Sequence, residues 1–195
     1  MILPIVAYGA QVLKKKASEV DLKNPQLPIL IENMWETMYA ASGVGLAAPQ
    51  VGYSMRLFIV DASPFADDDT LSEMEQKQLR TFKKTFINPV IEKETGTSWV
   101  FNEGCLSIPN IREDVHRLDT ISITYTDEKG ATHKETYSGL AARVIQHEHD
   151  HINGVLFTDR LSALKKRLLK GKLTQIAKGK VDADYVMRFP NDLKL

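Results

Sequence analysis

The chain has 195 residues, 43% of them apolar, which is enough for one well-cored domain and too short for several. Lys plus Arg and Asp plus Glu balance at 25 each, so no global charge argues for DNA or a membrane surface as partner. The single cysteine, Cys105, excludes an internal disulfide and suits a reducing compartment.

The apolar start, Met1 to Gly9, lacks the basic lead and long apolar core of a signal peptide. No run of about 18 apolar residues follows, so no membrane span and a cytoplasmic location are expected. Pro25 to Ala41 repeats Leu27, Leu30, Ile31, Met34, Trp35 and Met38 at helical spacing and predicts a helix stopped by Ser42-Gly43. After G-V-G-L-A-A-P-Q-V-G, the run M-R-L-F-I-V-D predicts a buried strand. Asp67, Asp68 and Asp69 predict a solvated loop, and Thr70 to Glu73 predicts a capping box opening a short helix. From Lys84 to Tyr137, the alternating runs T-F-I-N-P-V-I, T-S-W-V-F, D-T-I-S-I-T-Y-T and T-H-K-E-T-Y predict separate short strands, with a hairpin turn at Asp127 to Gly130. Ser138 is expected to cap a helix from Gly139 that Asn153-Gly154 ends. A last helix is expected from Leu161 to about Lys178, weakened by Gly171. The order of elements is that of an α+β fold, one domain over residues 1–195. The stretch Val181 to Leu195 carries no readable motif.

Q-H-E-H-D-H, Gln146 to His151, is the chemically loaded segment. At roughly 100° per helical residue, His147 and His151 fall about 40° apart, whereas His149 lies about 200° from His147 and faces away. His147-Glu148-x-x-His151 is therefore a metal-binding pattern with Glu148 as general base, and His149 is a bystander. A catalytic ion needs a third protein ligand and an open position. Phe157 stands where one peptidase class has its third His, and no acidic residue lies between Leu161 and Lys180. Cys105, in E-G-C-L-S, is the remaining soft donor. A thiolate with two imidazoles suits Zn²⁺, Fe²⁺, Co²⁺ or Ni²⁺ in a near-tetrahedral site.

Three stretches in this order, G-V-G-L-A-A-P-Q (Gly43 to Gln50), E-G-C-L-S (Glu103 to Ser107) and Q-H-E-H-D-H, resemble the peptide deformylase family. The likeness covers most of the chain. It implies antiparallel β-sheets around a central metal-binding helix, with an N-terminal and a C-terminal helix. It also implies a hydrolase that removes the N-formyl group from the formylmethionine of newly made proteins. Carried over by position, Cys105, His147 and His151 are the ligands and Glu148 the acid/base. Gln50 and the Leu106 N–H bind the oxyanion, and Val44 and Gly45 lie against the peptide, with Gly45 allowing its close approach. The resemblance implies Fe²⁺ in the cell, with Zn²⁺, Ni²⁺ or Co²⁺ as substitutes. Departures are the long Ala62–Phe82 segment, and Ala10 and Lys14 where Pro and Arg are expected.

Leu140 and Val144 share the helix face of His147 and are expected to line an apolar pocket for the methionine side chain. Arg143 should pack its stem there with its head in water. Glu103 is expected to pair with Arg117 or Arg112, holding the Cys105 loop, unless Arg112 faces the peptide as the resemblance implies. The cluster from Lys165 to Lys180 reads first as a solvated helix face. The sharper alternative is docking on the ribosome, where the implied substrate emerges. A monomer is expected. Two other functions remain open: a metallopeptidase sharing the helix motif, and a structural metal domain using His116 or His133.

Overall fold

A computed structural model describes residues 1–193; Lys194 and Leu195, the end of the motif-free tail, lie outside the described residues. Strand β1 (Ile5–Val6) leads through a single 3₁₀ turn to helix α1 (Leu27–Ala40). Its buried residues Leu27, Leu30, Ile31, Met34 and Met38 are those that the periodicity singles out, and Pro28 stands in the first turn, where no backbone N–H is needed. Ser42, at φ 54°, turns the chain out of the helix. Then come β2 (Gly45–Ala47), a 3₁₀ turn over Ala48–Val51 and β3 (Leu57–Asp61). Every residue of β3 is buried because both its faces are covered. Leu57 and Ile59 join α1 and Ile87 in one apolar cluster, while Phe58 and Val60 join Phe86 and Ile121 in another.

Short helix α2 (Glu73–Arg80) follows. Its cap lies two residues later than expected. Ser72, not Thr70, is the N-cap, its N–H donating to Glu75 Oε2 at 2.9 Å, while Thr70 is drawn into a turn on Asp68. Strands β4 (Lys83–Cys105), β5 (Ile108–Thr126) and β6 (Thr132–Ser138) complete an antiparallel sheet of order β2-β3-β4-β5-β6. T-H-K-E-T-Y is the separate strand β6 as expected, but T-F-I-N-P-V-I and T-S-W-V-F fuse into β4, and D-T-I-S-I-T-Y-T is the end of the long β5, so these three runs form one long hairpin. Register shifts at Ile87/Val90, Ile91/Lys93 and Thr95/Ser98 reset the alternation, so the side-chain pattern breaks where the backbone pairing does not. The Asp127–Gly130 turn joins β5 to β6 as predicted.

Helix α3 (Gly139–Ile152) lies against the sheet, its Leu140, Ala142, Val144 and Ile145 in the cluster with Phe58 and Phe86. Ser138 precedes it but makes no side-chain cap, contrary to expectation. Asn153 and Gly154, at φ 74°, end it. Helix α4 (Ala163–Ala177) starts two residues later than predicted, because Ser162 Oγ accepts the Lys165 N–H at 3.3 Å and so caps it. Leu169, Leu173 and Ile176 pack with Ile108, Ile111 and Val115 of β5. Last, β7 (Met187–Arg188) pairs in parallel with β1 in a separate two-stranded sheet. The architecture is the expected α+β, with α3 on the sheet and α1 and α4 each packed in a separate apolar cluster.

Candidate metal centre

Helix α3 and the β4–β5 turn build the site. His147 and His151 project from one face of α3 with ring centroids 5.0 Å apart. Cys105 ends β4 at the tight turn to Ile108 and places Sγ 3.3 Å from His151 Nε2. One donor atom from each of Cys105, His147 and His151 can be chosen so that all lie within 4.8 Å of one another. His149 faces away as expected. Its Nδ1 is 3.2 Å from Asn153 Nδ2, and burial, with nearby Arg56, pushes its pKa down to about 4, so it is a neutral packing histidine.

The donors fit a divalent cation. His147 Nδ1 is held 2.9 Å from Glu103 Oε2, which leaves the other ring nitrogen free for a metal. Glu148 is buried beside the triad, and its Oε2 has no hydrogen-bond partner. Burial pushes its carboxyl up to about 7, near the value a general base needs, and a cation alongside would pull it down again. Gln50 Oε1 accepts the Ala47 N–H at 2.8 Å, which turns Nε2 toward Cys105 Sγ, 3.5 Å away, and Ser107 Oγ, 3.4 Å away. Gly45 has a reason beyond room for a peptide. A Cβ there would lie 2.5 Å from Glu148 Oε1, so only glycine admits the carboxylate.

Glu103 anchors the base of the site. Arg117 grips it in bidentate fashion, Nε to Oε1 at 2.7 Å and Nη2 to Oε2 at 2.9 Å. Arg117 is thus the expected partner. Arg112 instead binds Asn102, with Nε 3.1 Å from Oδ1, and faces the cleft. Arg117 Nη1 reaches Asp150 at 2.7 Å, and Arg160 holds Asp150 from the other side. Burial would raise the Glu103 pKa, but the bonds from Arg117 and His147 outweigh it and hold the carboxyl well below the usual range. Arg143 departs from expectation. Its head is not in water: the side chain is 1% exposed, Nη1 donates to Glu103 at 3.0 Å, Nη2 donates to Trp99 O at 2.8 Å, and the guanidinium lies over the Trp99 ring. The pairing was legible in principle, since an arginine one turn before His147 on the ligand face needs a buried anion.

A cleft of about 690 Å³ opens over Cys105 and His147. Val44, Gly45, Gln50, Cys105, Leu106, Arg112, Arg143, Val144, His147 and Glu148 line it, as the sequence predicts. Leu140 does not line it. It shares the His147 face but stands two turns earlier, about 10 Å farther along the axis, where it packs in the core with Ile121 and Tyr125. Sequence reasoning also missed that Asp182, Ala183, Asp184 and Tyr185 of the tail form part of the wall. His116 is exposed and His133 bonds Asp127 at 2.8 Å, so neither joins the triad.

The family model for polypeptide deformylase matches residues 2–167. A peptide deformylase of Christiangramia forsetii is 62% identical over 194 residues, covering 100% of this chain and 99% of that protein. One of Flavobacterium johnsoniae is 56% identical over 189 residues, covering 97% and 96%. Among solved structures, a peptide deformylase from Legionella pneumophila superposes with TM-score 0.77 at 35% identity, covering 92% of this chain and 98% of that one. That from Thermotoga maritima gives 0.72 at 39% identity, covering 83% and 99%.

Proposed function

The chain belongs to the polypeptide deformylase family and removes the N-formyl group from formylmethionyl peptides, and we propose that it does so with one divalent ion held by Cys105, His147 and His151. The observation that carries this reading is the convergence of one thiol and two imidazoles beside the unpartnered, buried carboxylate of Glu148. The donor set suits Fe²⁺, Zn²⁺, Ni²⁺ and Co²⁺ alike; the family resemblance points to Fe²⁺ in the cell, with the others as working substitutes.

Bound there, such an ion supplies Lewis acidity and makes water acidic enough to attack at neutral pH. Glu148 takes the proton from the attacking water and passes it to the leaving amine of the methionine. Gln50 Nε2 and the Leu106 N–H donate to the oxyanion, and losing one such donor costs about 10²–10³ in kcat. Val44 and Val144 hold the methionine side chain, and Arg112 faces the rest of the peptide. Glu103 keeps His147 oriented through its Nδ1.

No helix among the described residues is long and apolar enough to cross a membrane. The reading is of a cytoplasmic monomer acting as one catalytic unit on nascent chains. The exposed Lys166, Arg167, Lys170 and Lys172 of α4 would dock it on the ribosome. The test is formate release from a formyl-Met tripeptide, without oxygen and with Fe²⁺ or Ni²⁺ loaded. Wild type should release it rapidly and Glu148→Ala should not, with metal content equal in both. Full activity in Glu148→Ala would remove Glu148 from the chemistry, and an unmetallated but active wild type would remove the ion.

A further inference from the structure

The segment from Val181 to Phe189 lies beyond residues 2–167, the span that the family model matches, yet it returns to the metal centre. Its exposure alternates with the period of an extended strand: Val181, Ala183, Tyr185, Met187 and Phe189 are half-buried, and the residues between them exposed. Val181, Met187 and Phe189 pack against the same apolar cluster as Cys105. Hydrogen bonds tie the segment down. Ile5 N–H donates to Val186 O and Ala7 N–H to Arg188 O, each at 2.9 Å, and the next residue, Tyr8, donates to Ser107 O at 2.9 Å. The strand pairing of β1 with β7 is therefore continuous with a bond into the Cys105 turn. Farther along, Asn110 Nδ2 donates to Asp182 O at 2.8 Å, and the Tyr185 hydroxyl donates to Leu106 O at 2.8 Å.

Leu106 and Ser107 are the whole of the turn between Cys105 and Ile108. The Leu106 N–H and the Leu106 carbonyl lie in adjacent peptide planes that meet at the Leu106 Cα, so in a turn closed by the Cys105–Ile108 pair a hold on the carbonyl restricts the direction of the N–H. An oxyanion donor works only if it is aimed before charge develops. We propose that Tyr185 is a positioning residue for deformylation, whose hydroxyl, by holding the Leu106 carbonyl, fixes the turn and aims the Leu106 N–H at the oxyanion. The inference rests on the reading of Leu106 and Gln50 as the oxyanion donors. It makes the tail a working wall of the active site.

Tyr185→Phe keeps the ring and removes only the hydroxyl. On the metal-loaded enzyme it should lower kcat for a formyl-Met tripeptide about three- to tenfold, the effect of one hydrogen bond, with KM and bound metal as in wild type and Tm lower by no more than about 4 °C. Amide resonances of Leu106 and Ser107 should shift in the same variant, and a role limited to packing would not move them. Gln50→Ala, measured alongside, should lower kcat by more. Wild-type kcat and unshifted amides in Tyr185→Phe, with kcat lost in Gln50→Ala, would overturn the tail proposal and leave the oxyanion reading standing. Unchanged kcat in Gln50→Ala would sink the oxyanion reading and the proposal with it. A loss of bound metal matching the loss of kcat in Tyr185→Phe, or a fall in Tm well beyond that of one hydrogen bond, would make the tail structural only and overturn the proposal.

Discussion

Helices α3 and α4 are close in length and both rich in polar residues, yet their fates differ. In α3 every residue except Gly139 and His149 is buried, including Arg143, Gln146, His147, Glu148, Asp150 and His151. In α4 only Leu169, Leu173 and Ile176 are buried, and its lysines face solvent. Hydropathy does not separate the two helices; the availability of partners does. The polar groups of α3 meet opposite charges and backbone carbonyls brought by β4 and β5: Glu103 for Arg143 and His147, Arg117 for Asp150, and the Trp99 and Val115 carbonyls for Arg143. Those of α4 meet water, apart from Lys165 on Glu113 at 2.7 Å. The cost of desolvating charge is tolerated only where the charge is fully paired. Glu148 Oε2 is then an informative exception. Arg143 Nε, Gln146 Oε1, His149 Nε2 and His151 Nδ1 are also buried without partners, but the Glu148 carboxylate is the unpartnered acid of α3 that lines the cleft beside the Cys105 and His147 donors.

If α3 is held to its tasks by close fit, intruding on it should hurt more than any charge change on α4. The largest effect is expected at Gly45→Ala. The new methyl would displace the Glu148 carboxylate, and a misplacement near 1 Å costs about 10²-fold in rate. Formate release should fall by that much with Tm and metal content little changed, and near-normal kcat would mean that Glu148 has room to yield. Next is Glu103→Gln, which leaves Arg117 and Arg143 buried against a neutral amide. Urea unfolding should show a loss of about 3–5 kcal/mol, and metal titration a weakening of about 10- to 100-fold. The Glu103 contribution also has a pH sign. Its folded pKa is depressed, so its stabilisation is complete above the ordinary glutamate range and disappears as acid protonates it. Wild type should therefore lose stability on acidification more steeply than Glu103→Gln.

The same contrast explains what was legible. The convergence of His147, Glu148 and His151 could be read because helical spacing alone puts both imidazoles on one face, and that of Cys105 because its thiol was the remaining soft donor for an unfinished two-histidine set. Helix α1 and strand β3 could be read because their burial is apolar and periodic. Arg143 was misread because a charged residue among apolar neighbours has two solutions, water or a buried anion, and Glu103, the anion that decides, lies far away in sequence. The long β4–β5 hairpin was read as fragments because its bulges break the side-chain alternation. Leu140 was placed in the pocket from helix angle alone, and the sheet claims it. The tail gave no local signal, because its alternation is partly polar and its partners, β1 and the Leu106 turn, belong to distant segments.

Within α3 itself, Val144 tests whether the cleft selects its substrate by shape. Its side chain lines the cleft beside His147 and Glu148 and is 6% exposed. Phenylalanine there would fill space meant for the methionine side chain. Val144→Phe should raise KM for a formyl-Met tripeptide about tenfold while formyl-Gly peptides, with no side chain to place, change less. Equal shifts for both would assign Val144 to packing and not to selection.

The smallest effects are expected on α4, and their smallness is the point. Lys166→Glu, Arg167→Glu and Lys170→Glu change exposed groups, so each should alter stability by no more than about 0.5 kcal/mol. Formate release from a free tripeptide should be unchanged, since none of the three lines the cleft. Co-sedimentation with ribosomes should nevertheless fall in the triple variant, and in wild type it should weaken steeply with added salt, as binding to phosphate requires. A triple variant that pellets with ribosomes as wild type does would return this face to plain solvation. One that loses tripeptide activity would mean that α4 is coupled to the site through Leu169 and Leu173, which pack on the strand leading out of the Cys105 turn, and the contrast between the two helices would be one of exposure alone.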